Sequence, residues 1–367
     1  MKHLFIRPLD VWLFRNGKSF NAGSDHRAET VFPPLPTVLQ GAIRTHYIEL
    51  HGGIPAYLHG QLPDVITKIG KKGEPPPASF QIRGGFLAQY KDKQLTCYVP
   101  LPAHVYLDDD IYRLLEPEKK SGVMTDLGET QQLLWRNEHV AATKSDGSGW
   151  LSLTDLEILL NQKQLPKGSE DNPTVKPDCH FFERESRLGI KLDYQSHTTE
   201  TGQLYQTESV RLREEYGLYV ELDGVDWPDN GIFNLGGEAH AALYETIAPL
   251  TYPAPISPGQ NNFTVTFLTP TYFEKGWQPA SWQKFMGDSA NFVTAAMGKP
   301  LVLGGFDVAH KRHKASRRYV PAGSTYYFTG TPNIPSTIKT MCDEVIENKI
   351  KFNYGQYGFG QFILGAW

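Results

Sequence analysis

Apolar and polar residues alternate along Phe263-Thr-Val-Thr-Phe-Leu-Thr269, the period-two signature of a half-buried strand. Residues 281–297 carry apolar positions at helical spacing and predict a helix broken near Gly287. Two further strands are predicted at 301–308 and 318–328, the second bent at Pro321-Ala-Gly323. Residues 336–347 predict another helix, with Ser336 as N-cap and Ile338, Met341, Val345 and Ile346 on one face. Residues 359–367 supply a last strand. The order is β-α-β-β-α-β, the split unit of ferredoxin-like and RRM-like folds.

The first half permits the same order with insertions. Leu4-Phe-Ile-Arg-Pro-Leu9 predicts an edge-like strand, and Thr37 caps a helix carrying Leu39, Ala42, Ile43, Tyr47 and Leu50. Residues 80–90 and 94–101 predict a hairpin around Lys91-Asp92-Lys93, and Thr154-Asp-Leu-Glu157 reads as a capping box opening a second helix. Loops are expected at 70–79 and 166–180. Residues 185–212 predict a long polar hairpin, its tip at 195–202 too long for a two-residue turn. Pro253, Pro255, Pro258 and Gly259 mark a linker. The expected fold is α+β: two tandem ferredoxin-like (RRM-like) βαββαβ units with insertions. Residues 1–250 form the first unit with its projecting hairpin, and 251–367 the second.

Composition narrows the partners. The chain has 367 residues, 40% of them apolar, enough to fill a core. Its mean hydropathy is −0.40, and no apolar run approaches the ~20 residues that cross a bilayer. Arg7 and Pro8 interrupt the first apolar run, so no signal peptide is expected. Cys97, Cys179 and Cys342 lie far apart, which fits neither a disulfide framework nor a zinc site and suits a reducing cytoplasm. A net charge of −4 excludes a globally basic nucleic-acid coat protein but not a local basic groove.

Four segments carry chemistry. Gly358 and Gly360 lie in the glycine-rich run Tyr354-Gly-Gln-Tyr-Gly-Phe-Gly-Gln361, where backbone N–H groups can press against a phosphate; a helix end followed by a tight turn is the other reading. Lys311, Arg312, Lys314, Arg317 and Arg318 put five cations in eight positions, with His313 among them and Tyr319, Tyr326, Tyr327 and Phe328 after them. Cations on phosphates and rings under bases are how RRM-like sheets hold single-stranded RNA; a solvated loop is the alternative. The hairpin tip offers His197, Thr198 and Thr199 for insertion between bases or against a partner. Arg15, Asn16 and Lys18 follow the first strand in a Gly-rich connection that holds a phosphate or covers the sheet edge. Catalytic signatures such as HExxH and GxSxG are missing, and the twelve histidines are scattered. His26 is the best lone candidate for acid–base RNA cleavage. No metal or cofactor is expected.

Taken together, several stretches resemble one family. They are Pro8-Leu-Asp-Val-Trp-Leu-Phe-Arg-Asn-Gly-Lys-Ser-Phe20, Phe32-Pro-Pro-Leu-Pro-Thr-Val-Leu-Gln-Gly-Ala-Ile-Arg44, Arg187-Leu-Gly-Ile-Lys191, Gly202-Gln-Leu-Tyr-Gln-Thr-Glu208, Leu235-Gly-Gly-Glu238, Pro321-Ala-Gly-Ser324 and Gly358-Phe-Gly-Gln-Phe-Ile-Leu-Gly365. In collinear order they resemble the RAMP superfamily of CRISPR proteins, and within it the third subunits of the Cmr (type III-B) effector complex. The resemblance implies a non-catalytic subunit with two ferredoxin-like units. It also implies binding of the 5′ tag of CRISPR RNA beside the large polymerase/nuclease subunit and neighbouring backbone subunits, with no membrane partner. Carried over, the 195–202 tip separates tag from guide, while Arg187, Lys191, the basic segment and the glycine-rich loop face RNA. A RAMP endoribonuclease that cuts CRISPR repeat RNA is the alternative.

Overall fold

The computed structural model describes residues 1–15, 27–119, 132–136, 148–192, 195, 199–253, 261–307, 312–334 and 339–367. The elements of the two main sheets, the helices on them and the long hairpin are, in chain order, β1 (Lys2–Pro8), α1 (Pro36–Leu50), β2 (Gln81–Lys91), β3 (Gln94–Pro100), β4 (Trp150–Ser152), α2 (Leu153–Gln162), β5 (Phe182–Leu192), β6 (Thr199–Leu212), β7 (Tyr216–Asp223), β8 (Asn230–Asn234), β9 (Ala241–Thr246), β10 (Asn262–Phe267), β11 (Asn291–Ala296), β12 (Thr325–Thr329) and β13 (Phe362–Ala366), with β5 and β6 in a separate small sheet. The class is α+β, with mostly antiparallel sheets and few helices. No helix among the described residues is long and apolar enough to cross a membrane.

The first sheet has seven strands in the order β8-β9-β1-β7-β2-β3-β4, every pair antiparallel. Its first strand is central, bonded to β7 and β9, and not the edge-like strand expected of residues 4–9. Pro8 stands at the end of that strand, where a missing N–H does least harm. α1 covers one face through Leu39, Ile43 and Tyr47, which join Leu4, Ile6, Leu218 and Val220 in a core. Each such side chain contributes ~1.5–3 kcal/mol on burial. The cap differs from the expected one. Leu35 is the N-cap with Pro36 at the first helical position, where proline lacks only an N–H the helix would not use, and Thr37 lies inside the helix.

The opposite face packs on α2, whose Leu156, Leu159 and Leu160 are buried with Phe5, Phe86 and Tyr219. Here Ser152 is the cap: its Oγ accepts from the N–H of Asp155 at 3.0 Å, two residues before the expected Thr154. The 81–100 hairpin forms as expected, with Asp92 and Lys93 both at positive φ in a two-residue turn.

The second sheet runs β11-β12-β10-β13. It docks on the first through α2: a Cβ on Gly365 would lie 2.9 Å from Leu160 Cδ2, and Ile363 and Leu268 join the α2 core. Two expected helices of this half do not form. The first stops after Gln283–Met286, because Gly287 adopts φ 71°, and Asn291–Ala296 pairs with β12. Phe292, Val293 and Thr294 suit a pleated surface better than a helix. In the second, residues 335–338, with Ser336 and Ile338, lie outside the described residues. Val345–Glu347 instead forms a hairpin with Ile350–Phe352 through Asn348 and Lys349, both at positive φ. Met341 and Val345 are buried in different clusters and Ile346 is 57% exposed, so their helical spacing is coincidental.

Candidate nucleic-acid interface

The glycine-rich run forms a short 3₁₀ turn, Tyr354–Tyr357, that feeds β13. Gly358 and Gly360 are buried at φ 102° and 69°. Their amides donate to Gly355 O at 3.1 Å and Pro270 O at 2.8 Å, so both are satisfied inside the protein. Glycine is required at 360 because a Cβ there would sit 2.2 Å from Met341 O. Gln361 then reaches across to the first sheet. Its Oε1 accepts from Gly84 N at 3.0 Å, and its Nε2 donates to Gly84 O at 3.1 Å and Gly358 O at 3.0 Å. Gly84 and Gly85 form a bulge in β2 at which the ladder with β7 slips by one residue. The side-chain amide of Gln361 therefore pairs the backbone that the bulge leaves open. Two glycines inside a strand pattern signal such a bulge, but nothing in the chain announces a partner 277 residues away.

The basic segment lies against this loop. Arg312–His313 pairs with Phe306–Asp307, and Arg317–Tyr319 with Leu301–Leu303. Alternation along the second strand splits its cations. Arg317 turns inward and donates to Ile346 O, and Tyr319 packs on Phe359 of the glycine-rich loop, ring centroids 5.4 Å apart. Arg318 faces solvent beside its cross-strand partner Val302, itself 61% exposed. Lys314 pairs with the carboxylate of Glu347 at 2.9 Å, and the same carboxylate accepts from the Tyr354 hydroxyl. Burial pushes the Tyr354 phenol well above its usual pKa, so it stays a donor. Arg312 and His313 are exposed; Lys311 lies outside the described residues. The structure thus brings the cationic strands and the glycine-rich turn into one cluster with Leu303, Val345 and Tyr357.

The rings expected beneath bases are elsewhere. Tyr326, Tyr327 and Phe328 are at most 1% exposed; Tyr326 bonds Trp277 O and Tyr327 bonds Leu115 O from within the core. A sheet whose faces both carry packed layers leaves these residues no open side.

The long hairpin forms as β5 and β6. Its base is held by ion pairs: Arg184–Glu208 at 2.7 Å, Arg211–Asp10 at 2.8 Å, Arg211–Glu185, and Arg213–Glu183 at 3.2 Å. The Arg211 hydrogen bond holds the Glu185 carboxyl below its ordinary pKa. Arg187 is half-exposed and reaches Glu185 at 3.5 Å and Asp10 at 3.9 Å, so it serves the base of the finger. Toward the tip Leu188 and Ile190 are 73% and 49% exposed. Lys191 lies in β5 one residue before its end and Thr199 opens β6, the side chains of both undescribed, and His197 and Thr198 lie outside the described residues. So do Asn16, Lys18 and His26. Arg15 is exposed and bridges Thr30. The segment after it joins the finger to α1: Arg27–Ala28 pairs in parallel with Gln206–Thr207, Phe32 packs on Phe14 and Phe182, and Leu35 packs against the glycine-rich cluster. Leu235-Gly-Gly closes the same corner, Gly237 N donating to Leu13 O at 2.7 Å.

Other histidines serve the fold. His46 packs among Trp227, Phe233 and Tyr244, and burial lowers its pKa; His51 bonds Tyr47 O. Among the described residues no group of three His, Cys, Asp or Glu is placed to hold a metal ion.

No curated protein matches this sequence. Among solved structures, similar chains occur in type III-B Cmr-beta bound to cognate target RNA and AMPPnP (16% identity, 89% of this chain and 86% of that one, TM-score 0.47) and bound to cognate target RNA alone (15%, 89% and 86%, 0.47). A chain of the apo state matches at 12% identity over 67% of this chain and 96% of its own, TM-score 0.30. The model of the family described as CRISPR-associated protein (Cas_Cmr3) matches residues 4–367, essentially the whole sequence, and the chain belongs to that family.

Proposed function

We propose that this chain is the subunit that grips the 5′ tag of CRISPR RNA and docks the large polymerase/nuclease subunit without itself catalysing a reaction. Family membership makes it a subunit of a type III-B CRISPR effector complex. Its two sheets support the expected pair of ferredoxin-like units, 1–250 and 251–367. The strand orders β9-β1-β7-β2 and β13-β10-β12-β11 both run fourth, first, third, second. In the first unit residues 92–215 are an insertion between the second and third strands, and β8 occupies the connection where the second helix of the motif would lie.

The observation that carries the reading is the division of labour in the basic segment. Tyr319 packs the segment on the glycine-rich loop and Lys314 and Arg317 fasten it to the neighbouring Val345–Glu347 strand, while Arg312 and Arg318 are left facing solvent. Cations held on a rigid base neutralise phosphates without first losing much side-chain and loop entropy. The glycines act by letting the turn approach β2 closely, and the RNA contacts fall to the side chains around it. The finger, apolar at Leu188 and Ile190 on an otherwise charged base, fits a wedge between tag and guide.

A guide RNA with a photoreactive nucleotide in its tag, assembled into the complex and irradiated, should crosslink to peptides containing 312–318 or the finger tip. A tag that crosslinks only to other subunits would overturn the reading in favour of a scaffold. Cleavage of repeat RNA by the purified chain in EDTA would overturn it in favour of an endoribonuclease.

A further inference from the structure

Lys71 and Lys72 form a cationic site that neither the motifs nor the family match singles out. Both are exposed, and among the described residues no carboxylate lies within ion-pairing distance of either. Their neighbour Lys68 differs: it is paired with Asp226 at 2.5 Å. The loop that carries them is held from beneath. Arg44, on α1, donates to Gly70 O at 3.4 Å and Lys71 O at 3.2 Å, and the Tyr57 hydroxyl donates to Gly70 O at 2.8 Å. Gly70 and Gly73 flank the lysines at φ 76° and 80°, and a Cβ on Gly70 would lie 2.8 Å from Pro75 O. The three prolines 75–77 then stiffen the return. Pro76 is buried, and its carbonyl accepts from Gln356 of the glycine-rich turn at 3.4 Å. The lysine loop and the 312–318 strands therefore flank the same turn.

We infer that Lys71 and Lys72 bind backbone phosphates of the single-stranded RNA held at the glycine-rich turn, extending the contact path beyond the 312–318 segment. The inference rests on the function proposed above and adds a second anchoring site to it. Two adjacent ammonium groups repel one another and gain from an anion between or beside them. Lysine is a strongly hydrated point charge suited to phosphate. Glu74, exposed in the same loop, is the one nearby acidic residue of the segment and leaves it net positive. RNA is favoured over an acidic protein because the loop offers no aromatic or apolar anchor, and protein interfaces are depleted in lysine.

The test measures fluorescence anisotropy of a fluorescein-labelled CRISPR RNA carrying its 5′ tag, titrated with the full-length chain across a salt series. Each single-strand phosphate contact contributes a slope of about 0.7 in log affinity against log salt. Lys71→Ala/Lys72→Ala should lower the slope by about 1.4 and weaken binding about 25-fold at 0.1 M salt, with unchanged thermal unfolding. Lys71→Arg/Lys72→Arg should restore both. If the Ala pair leaves RNA binding unchanged while Arg312→Ala/Arg318→Ala weakens it, the lysine site is refuted and the proposed function stands. If neither pair moves RNA affinity, the proposed function fails and the site with it. Loss of polyglutamate binding with RNA binding intact would assign the loop to an acidic protein and refute the inference.

Discussion

Replacing Gln361 by leucine tests how the two units are locked. Gln361 is 5% exposed, and its carboxamide makes three hydrogen bonds: two to the backbone of Gly84 and one to Gly358 O. Leucine of similar length fills the space but pairs with none of them. Gly358 O keeps a partner, because Thr269 Oγ1 also donates to it at 2.7 Å. The N–H and C=O of Gly84 are then left without the partner they have across the bulge. Each unsatisfied buried group costs about 1–3 kcal/mol, so the substitution should destabilise the chain by about 3 kcal/mol. At roughly 2 °C per kcal/mol for a chain of this size, the thermal midpoint should fall by about 6 °C in calorimetry. Hydrogen exchange at Gly84 should accelerate while neighbouring β2 amides stay protected. Gln361→Glu makes a sharper check: its carboxylate still accepts from Gly84 N but faces Gly84 O and Gly358 O, which with burial raises its pKa above the ordinary value of about 4.3, so part of the loss should be recovered on acidification and the recovery should be complete below about pH 4.3. A Gln361→Leu chain within about 0.5 kcal/mol of the parent would refute the idea that this amide completes the sheet.

Further expectations follow from single residues. Gly360→Ala should cost more than about 3 kcal/mol, since its Cβ meets Met341 O at 2.2 Å with φ at 69°. Gly60→Ala, with φ 72° and nothing within 4 Å, should cost only about 1 kcal/mol, and paired melting curves separate them. Lys314→Met leaves the mostly buried Glu347 carboxylate with only the Tyr354 hydroxyl and should lose about 1–2 kcal/mol in urea titrations; Arg312→Ala should stay within about 0.5 kcal/mol. His104 is fully buried, edge-on to Tyr327 with neither ring nitrogen hydrogen-bonded, and burial lowers its pKa to about 3. The unfolded chain takes up this proton below about pH 6.5 and the folded chain does not. Stability from this residue is therefore complete above pH 6.5 and lost on acidification toward pH 3. His104→Leu should remove up to about 1.4 kcal/mol per pH unit from the slope between those values, read from denaturant titrations at stepped pH.

Local chemistry was legible where it decides structure by itself. The turn at Asp92-Lys93, the α1 stripe of Leu39, Ile43 and Tyr47, and the alternating Phe263–Phe267 strand all rest on neighbours within a few residues, and each forms as the pattern directs. The cationic run at 311–318 and the glycines of 355–360 were equally plain. Only the fold decided which cations face outward, because that depends on Glu347 and Ile346 arriving from another hairpin. Residues 291–296 became a strand for the same kind of reason: β12 offered a ladder, and that outweighs a helical spacing of apolar residues. Tyr326, Tyr327 and Phe328 look like stacking rings in sequence and are core in space, since burial is a property of the layers on both sides of a strand. Gln361 and Gly84 show the limit most clearly. Hydrogen bonds between groups 277 residues apart leave no trace in local pattern, and tertiary packing alone brings donor and acceptor together.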